Sequence, residues 1–237
     1  MAGTPRGEPL LPVLDAVPGS DSLLAQALAE ALEGSGPDDE GGDEPGDDVT
    51  TRLLDAAYVQ FCRIGIRRST MGDVARRAGV SRITAYRRFA TKEVLVKQVV
   101  RREFRRYFDQ FQIDIQQART AADRVVLGFV SSLQVIRNNP LIGGLMAVEP
   151  DMIIPSLIAD GGQTMGTVQR FVAGQLRKEQ QAGNISAAVD VELVAELMTR
   201  LCCSFLVTPS FVIDLDDAGQ LRDVALKFLT PMLEPFH

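Results

Sequence analysis

The sequence predicts an all-α chain, and three observations lead to that class. Apolar residues recur at intervals of three and four in one stretch after another, and nowhere do they alternate in the two-residue rhythm of a half-buried strand. The stretches in the first half open on Thr or Ser, and several stretches end near Gly or Pro, the residues that cap and stop helices. Of the 237 residues, 46% are hydrophobic and 24% charged, enough apolar side chain for a sizeable core. No run approaches the roughly 18 consecutive apolar residues of a membrane helix.

Charge divides the chain into three parts. Residues 1–48 hold one Arg against 12 acids, residues 49–107 hold 15 Arg or Lys against four acids, and residues 108–237 hold nine against 15. A basic block of net charge +11 between two acidic ones is the electrostatic footprint of a nucleic-acid module inside a chain of net charge -6. The first block contains "DSLLAQALAEALEG", which can form a short amphipathic helix with Leu24, Leu28 and Ala31 on one face. It also contains the Gly- and Pro-rich "PDDEGGDEPGDDV", which is too polar to fold alone. Residues 1–48 are therefore expected to be a largely disordered acidic extension, either a solvated tail or a tethered polyanion able to compete for the basic face.

Within the basic block, "TRLLDAAYVQFCRIGI" spaces Leu53, Leu54, Ala57, Tyr58, Phe61 and Ile64 as one face of a helix capped by Thr50 or Thr51 and closing near Gly65. Thr70 followed by Asp73 resembles a capping box with Asp in place of Glu, so a short helix is predicted over 71–78, stopped by Gly79. Ser81 then caps a helix to about Phe89. Val74, Val80, Ala85 and Phe89 supply a small core. Arg82, Ile83, Thr84, Tyr86, Arg87 and Arg88 are left facing outward, on a helix of a size to enter a DNA major groove. Lys92 sits in the first turn of the next helix, where its charge opposes the helix dipole unless a phosphate is near.

Residues 50–95 resemble the DNA-binding domain of the tetracycline-repressor (TetR) family of bacterial transcription regulators. The matching positions are Thr70, Asp73, Val74, Ala75, Ala78, Gly79, Val80, Ser81, Thr84, Ala85, Tyr86, Phe89, Lys92, Glu93 and Leu95. The resemblance covers about a fifth of the chain. It implies an all-helical homodimer whose three N-terminal helices bind a double-stranded DNA operator and whose remainder binds a small-molecule effector. Carried over by position, Arg82, Ile83 and Thr84 match the base-facing start of the recognition helix, Tyr86 and Lys92 match phosphate contacts, and Thr51 and Thr70 match helix ends resting on the backbone. Ser81, Arg87 and Arg88 complete the expected DNA-binding set. Ile83 departs from the family pattern, which commonly has Gly or another small residue there, and Arg87 with Arg88 replaces a pair that often includes His or Tyr. These departures bear on the base sequence read, not on the fold.

The domain boundaries follow: an extension over 1–48, a helix-turn-helix domain over 49–96 and a ligand-binding and dimerisation domain over 97–237. Thr91 opens a long helix through "KEVLVKQVVRREFRRYFDQFQIDIQQA", on which Arg101, Arg102, Arg105 and Arg106 read as a solvated face. Further helices are predicted over about 122–138, 163–182 and 216–233, with a broken stretch over 141–160. In "DVELVAELMTRLCCSFLV" the only polar stripe is Glu192, Glu196 and Arg200, so the helix needs apolar partners on two sides. Val194, Leu197, Met198, Leu201 and Phe205 are the expected dimer contacts. Phe129, Leu133, Met146, Met152, Met165, Phe171 and Phe205 are the expected lining of an effector cavity, for an apolar or amphipathic molecule since the middle helices carry few charges.

Enzymatic chemistry has little to work with. The one histidine is His237, and Cys62, Cys202 and Cys203 form neither a metal-ligand spacing nor a paired framework, reading instead as reduced small hydrophobes. No catalytic residue, metal or cofactor is expected. The start of the chain lacks a basic stretch followed by an apolar segment of signal-peptide length, so the expected location is the cytoplasm. The expected function is a repressor that leaves a palindromic operator when its effector binds. Two alternatives remain: non-specific compaction of DNA, and an enzyme on a helical scaffold built around acids such as Glu149 and Asp151.

Overall fold

The computed structural model describes residues 23–33, 48–151, 154–155 and 162–235, and among these it contains helices and no strand. Asp48–Arg68 (α2) opens with an acid at its positive end and buries Leu53, Ala56, Ala57 and Phe61 at helical spacing. It begins slightly before the expected cap and runs past Gly65 through a kink there. Thr70 caps Met71–Arg77 (α3) by accepting the Asp73 amide at 3.1 Å, and its hydroxyl donates to the Asp73 carboxylate at 2.6 Å. That bond from Thr70, with Arg76 close by, holds the Asp73 carboxyl below its ordinary range. Gly79, at φ 68°, turns the chain while the Val80 amide reaches back to the Ala75 carbonyl. Ser81 then caps Arg82–Arg88 (α4), accepting the Thr84 amide at 3.0 Å, and Thr91 caps Lys92–Gln116 (α5).

The second half follows the same rules. Thr120 caps Ala121–Asn138 (α6), Ile142–Val148 (α7) lies inside the stretch expected to be broken, and Gln163–Gln181 (α8) follows. Asp190 and Asp217 cap Val191–Val207 (α9) and Ala218–Val224 (α10). The single final helix expected to reach Leu233 instead divides after Val224 into a wide π-type turn over Ala225–Leu229 and a 3-10 turn over Thr230–Leu233. Pro231 accounts for the break: it has no amide hydrogen to donate to Lys227, and its ring crowds that carbonyl.

Two apolar clusters organise the molecule. The first joins α2, α3, α4 and the amino half of α5, and α7 completes it through Ile142 and Leu145, with Leu141 just ahead. The second gathers α6, α8, α9 and the carboxyl-terminal turns around Phe129, Leu133, Leu176 and Leu221. α5 passes between the clusters, so the boundary expected between residues 96 and 97 falls inside one continuous helix. The arginine cluster on that helix is the solvated face expected of it only in part, Arg106 staying exposed. Arg102 is half-buried and pairs with Asp55 of α2 at 2.8 Å, and Arg106 pairs with the buried Glu103 at 3.0 Å.

Residues 23–33 form a helix, Leu23–Glu33 (α1), in the stretch whose sequence allows a short amphipathic helix. Its buried Leu28 and Ala31 pack with Phe104, Tyr107 and Phe108 of α5 and with Val168 and Phe171 of α8, while Glu30 pairs with Lys97 at 2.5 Å. An 11-residue helix is too short to persist alone, so this seat supplies its stability. The Leu24 side chain, the acidic run over 38–47 and His237 lie outside the described residues. Among the described residues no helix is long and apolar enough to cross a membrane, and no cluster of His, Cys, Asp and Glu is placed to hold a metal ion.

Candidate nucleic-acid interface and internal cavity

α4 is divided lengthwise. Ala85 is fully buried and Phe89, its C-cap, is buried beside it, whereas Arg82, Ile83, Tyr86, Arg87 and Arg88 are exposed. The helix has only seven residues, too few to hold itself. Its register is therefore set by the Ser81 cap at one end and the Ala85 and Phe89 contacts at the other. The Arg82 guanidinium lies 5.5 Å from the Tyr86 ring centre, a cation–π contact one turn along. Thr84 is half-buried, with its hydroxyl 2.8 Å from that of Ser81. Thr51 in the first turn of α2 and Thr70 at the start of α3 are exposed. Lys92, expected to contact a phosphate, is half-buried, and its ammonium donates to the Arg67 carbonyl at 3.3 Å.

That bond belongs to a joint the sequence reading missed. At Gly65 the chain takes φ 81° and ψ 170°, a region open essentially to glycine alone. The Glu149 carboxylate, in a residue only 6% exposed at the end of α7, accepts the next two amides, Ile66 at 3.1 Å and Arg67 at 3.0 Å. Asp151 pairs with the Arg67 guanidinium beside it. A Cβ on Gly65 would stand 2.3 Å from a Glu149 oxygen. Glu149 and Asp151, noted in the sequence as stray acids, thus tie α7 to the end of α2. The separation of 83 positions between Glu149 and Ile66 hid the pairing from any local pattern.

A cavity of about 140 Å³ opens between α5, α6, α8 and α9. Its walls include the rings of Phe111, Phe129 and Phe171, and its polar groups include Ser132, Gln175 and Thr199. Arg124 and Glu179 neutralise one another at 2.7 Å on its wall. The Thr199 hydroxyl is buried without a hydrogen-bond partner. Burial pushes the Cys202 thiol up to about 12, keeping it neutral. Tyr107, behind this wall, shares a 3.0 Å hydrogen bond with Ser132, and burial raises its pKa too.

Only part of the expected lining is here. Phe129 and Phe171 line the cavity. Phe205 packs edge-on against Phe129 at 6.0 Å from outside it, and Leu133 is fully buried in the second core. Met146 packs on the first core, because α7 turns back toward α2. Met165 lines a separate groove with Gln169 and Arg200, and Met152 lies outside the described residues. The sequence reading named neither Phe111 nor Thr199; nothing local marks either residue, since the cavity arises where four helices meet.

The expected dimer contacts also separate. Val194 and Met198 face inward to the chain's own core and Phe205 is half-buried, while Leu197 and Leu201 remain 40% and 37% exposed. Leu193, not anticipated, is 50% exposed in line with them, and Phe228 near the carboxyl terminus is 62% exposed. The helix is apolar on two sides, as its composition requires. Spacing alone does not say which side its own chain covers.

The family model described as "Bacterial regulatory proteins, tetR family" matches residues 53–99. A helix-turn-helix-type transcriptional regulator of Mycobacterium tuberculosis H37Rv is 27% identical over 184 residues, covering 78% of this chain and 85% of its own. The regulator UidR of Escherichia coli K12 is 26% identical over 152 residues, covering 64% and 76%. Among solved structures, the fatty acid degradation regulator FadR from Bacillus halodurans superposes with a TM-score of 0.56 at 13% identity, over 75% of this chain and 94% of its own. The repressor QsdR of R. erythropolis, of the TetR family, does so with a TM-score of 0.53 at 18% identity, over 81% and 98%. These two structures share the fold.

The α2–α7 joint makes a stability prediction. Glu149→Ala strands two amides and should cost about 1–3 kcal/mol in denaturant unfolding. Gly65→Ala forces the same carboxylate off those amides and should cost a similar amount, with backbone strain added. Because both changes break one contact, the double variant should lose less than the sum of the two. Strictly additive losses would show that the two sites are not coupled.

Proposed function

The chain carries the DNA-binding domain of the tetR family of bacterial regulatory proteins, and on that premise we propose that it is a homodimeric repressor. It binds a palindromic operator through paired α4 helices and releases it when a small apolar or amphipathic effector enters the cavity between α5, α6, α8 and α9. The observation that carries this reading is the exposed row Arg82, Ile83, Tyr86 and Arg87 on a helix rigidly capped at Ser81, within a block of net charge +11. Arg offers a bidentate contact to guanine, and the surrounding cations meet phosphates.

The exposed leucines of α9, with Phe228, support pairing of two copies. A stripe of Leu193, Leu197 and Leu201 in water is unfavourable, and a second copy would bury it. Pairing links two half-sites, so the second DNA contact becomes intramolecular. The cavity's aromatic walls and its internally neutralised Arg124 support an effector without net charge on its buried part. α7 begins three residues beyond Asn139, the C-cap of α6, and carries Glu149 to the last turn of α2, giving movement of α6 a short route to the DNA-binding helices. The work of such a repressor lies in the cytoplasm.

Arg82→Ala should cost about 1–3 kcal/mol on the operator and much less on random duplex, while Tyr86→Phe should weaken both alike. Titrations of both duplexes at matched salt check this. Equal loss on the two duplexes for both variants would instead favour non-specific compaction. Leu197→Glu should yield a monomer in sedimentation, with operator affinity reduced by at least tenfold; a soluble variant that remains dimeric would remove this stripe from the interface. 1-Octanol should raise the Tm of the unaltered chain, and Gly128→Leu should fill the cavity beside Phe111, keep operator binding and abolish that rise. An undiminished rise would put the effector elsewhere.

A further inference from the structure

Ile83 stands out on α4. It is 81% exposed, on a helix whose inward positions are already filled by Ala85 and its C-cap Phe89. β-branched Ile is a weaker helix former than Ala, and its side chain gains little from the fold at this exposure. Its neighbours one position back and one turn on are Arg82 and Arg87, both exposed. Arg82 leans over Tyr86, along a different row of the helix. The row that contains Ile83 therefore presents an aliphatic side chain toward the amino end of α4 and a cation toward the carboxyl end.

A recognition helix sets its amino-terminal residues against base edges. In that register Ile83 meets base edges while Arg87 lies nearer the backbone. An aliphatic side chain has no hydrogen bond to offer. The methyl group a major groove presents at a base edge is the C5-methyl of thymine, the other exposed groups being donors, acceptors and bare C–H. Cytosine methylated at C5 carries the same group at the same place. A polar base edge against Ile83 would lose water without replacement, so the side chain would also discriminate against unmethylated cytosine.

We propose that Ile83 reads the C5-methyl group of a pyrimidine in each half-site, so that the operator carries thymine or 5-methylcytosine at the position this residue faces. This rests on the reading of α4 as the DNA-contacting helix. The side chain sets base preference at that position, beside the separate guanine contact of Arg82, while Arg87 and Tyr86 set overall affinity.

The full-length chain is first used to select duplexes from a random pool. Each thymine of a selected duplex is then replaced singly by deoxyuridine, which deletes only the methyl group. One symmetry-related pair of positions should lose affinity, by about fourfold per half-site, as expected for one methyl-sized contact. Ile83→Ala, at an exposed position that Ala suits, should bind the unmodified duplex more weakly by a similar factor and no longer distinguish thymine from deoxyuridine there. At the same position a 5-methylcytosine·guanine pair should bind the unaltered chain better than cytosine·guanine, a difference absent in Ile83→Ala. The proposal is overturned if deoxyuridine is tolerated at every position, or if Ile83→Ala keeps the full discrimination. A pool from which no duplex is enriched over random DNA would sink the repressor reading as well, whereas enrichment without methyl sensitivity would sink this inference alone.

Discussion

Two backbone amides at the end of α2 and one buried carboxylate fasten α7 to the first apolar cluster. Glu149 accepts from Ile66 and Arg67 where the kink at Gly65 has released those amides from the helical ladder. The arrangement is self-consistent: the kink frees the donors, the missing Cβ leaves room for the acceptor, and the donors compensate the carboxylate for the water it loses. Because α7 supplies the acid and also completes the first apolar cluster through Ile142 and Leu145, the DNA-binding helices do not form a closed unit without it. Ser69, whose hydroxyl donates to the Gly65 carbonyl at 2.6 Å, and Lys92, bonded to the Arg67 carbonyl, secure the same turn from the other side.

α4 shows how a short helix can be rigid and still leave most of its side chains for another task. Its inward contacts are the small Ala85 and the C-cap Phe89, and its ends are held by Ser81 and by the tight turn at Gly79. Little of its outer surface is needed for stability, so exposed Arg82, Ile83, Tyr86 and Arg87 can be assigned to a partner without loss to the fold. Substitutions there should act on binding, and those at Ala85 or Phe89 on folding.

The second half works with looser packing. Four helices meet around Phe111, Phe129 and Phe171 without filling the space between them, and the Thr199 hydroxyl is left unpaired at its edge. A void and an unsatisfied polar group each destabilise the empty chain, and a ligand that filled the one and bonded the other would offset both. α1, seated on α5 and α8 beside Phe171, braces the outside of this region.

What the sequence determined by itself is local. Thr70, Ser81 and Thr91 cap the helices they precede, Gly79 turns the chain between α3 and α4, and Ala85 and Phe89 face inward, because each depends on neighbours within about four residues. Periodicity also identified α9 as a helix apolar on two sides. Only the tertiary structure decided that Val194 and Met198 turn inward while Leu193, Leu197 and Leu201 face out, since both sides satisfy the pattern equally and only packing against α6 and α8 chooses between them. The same holds for the cavity, which Phe111 joins and Leu133 leaves, and for Glu149, whose partners lie more than 80 residues away. A carboxylate carries no local sign of which distant amides it will meet. The folded chain brings it to Gly65, where the space for it exists.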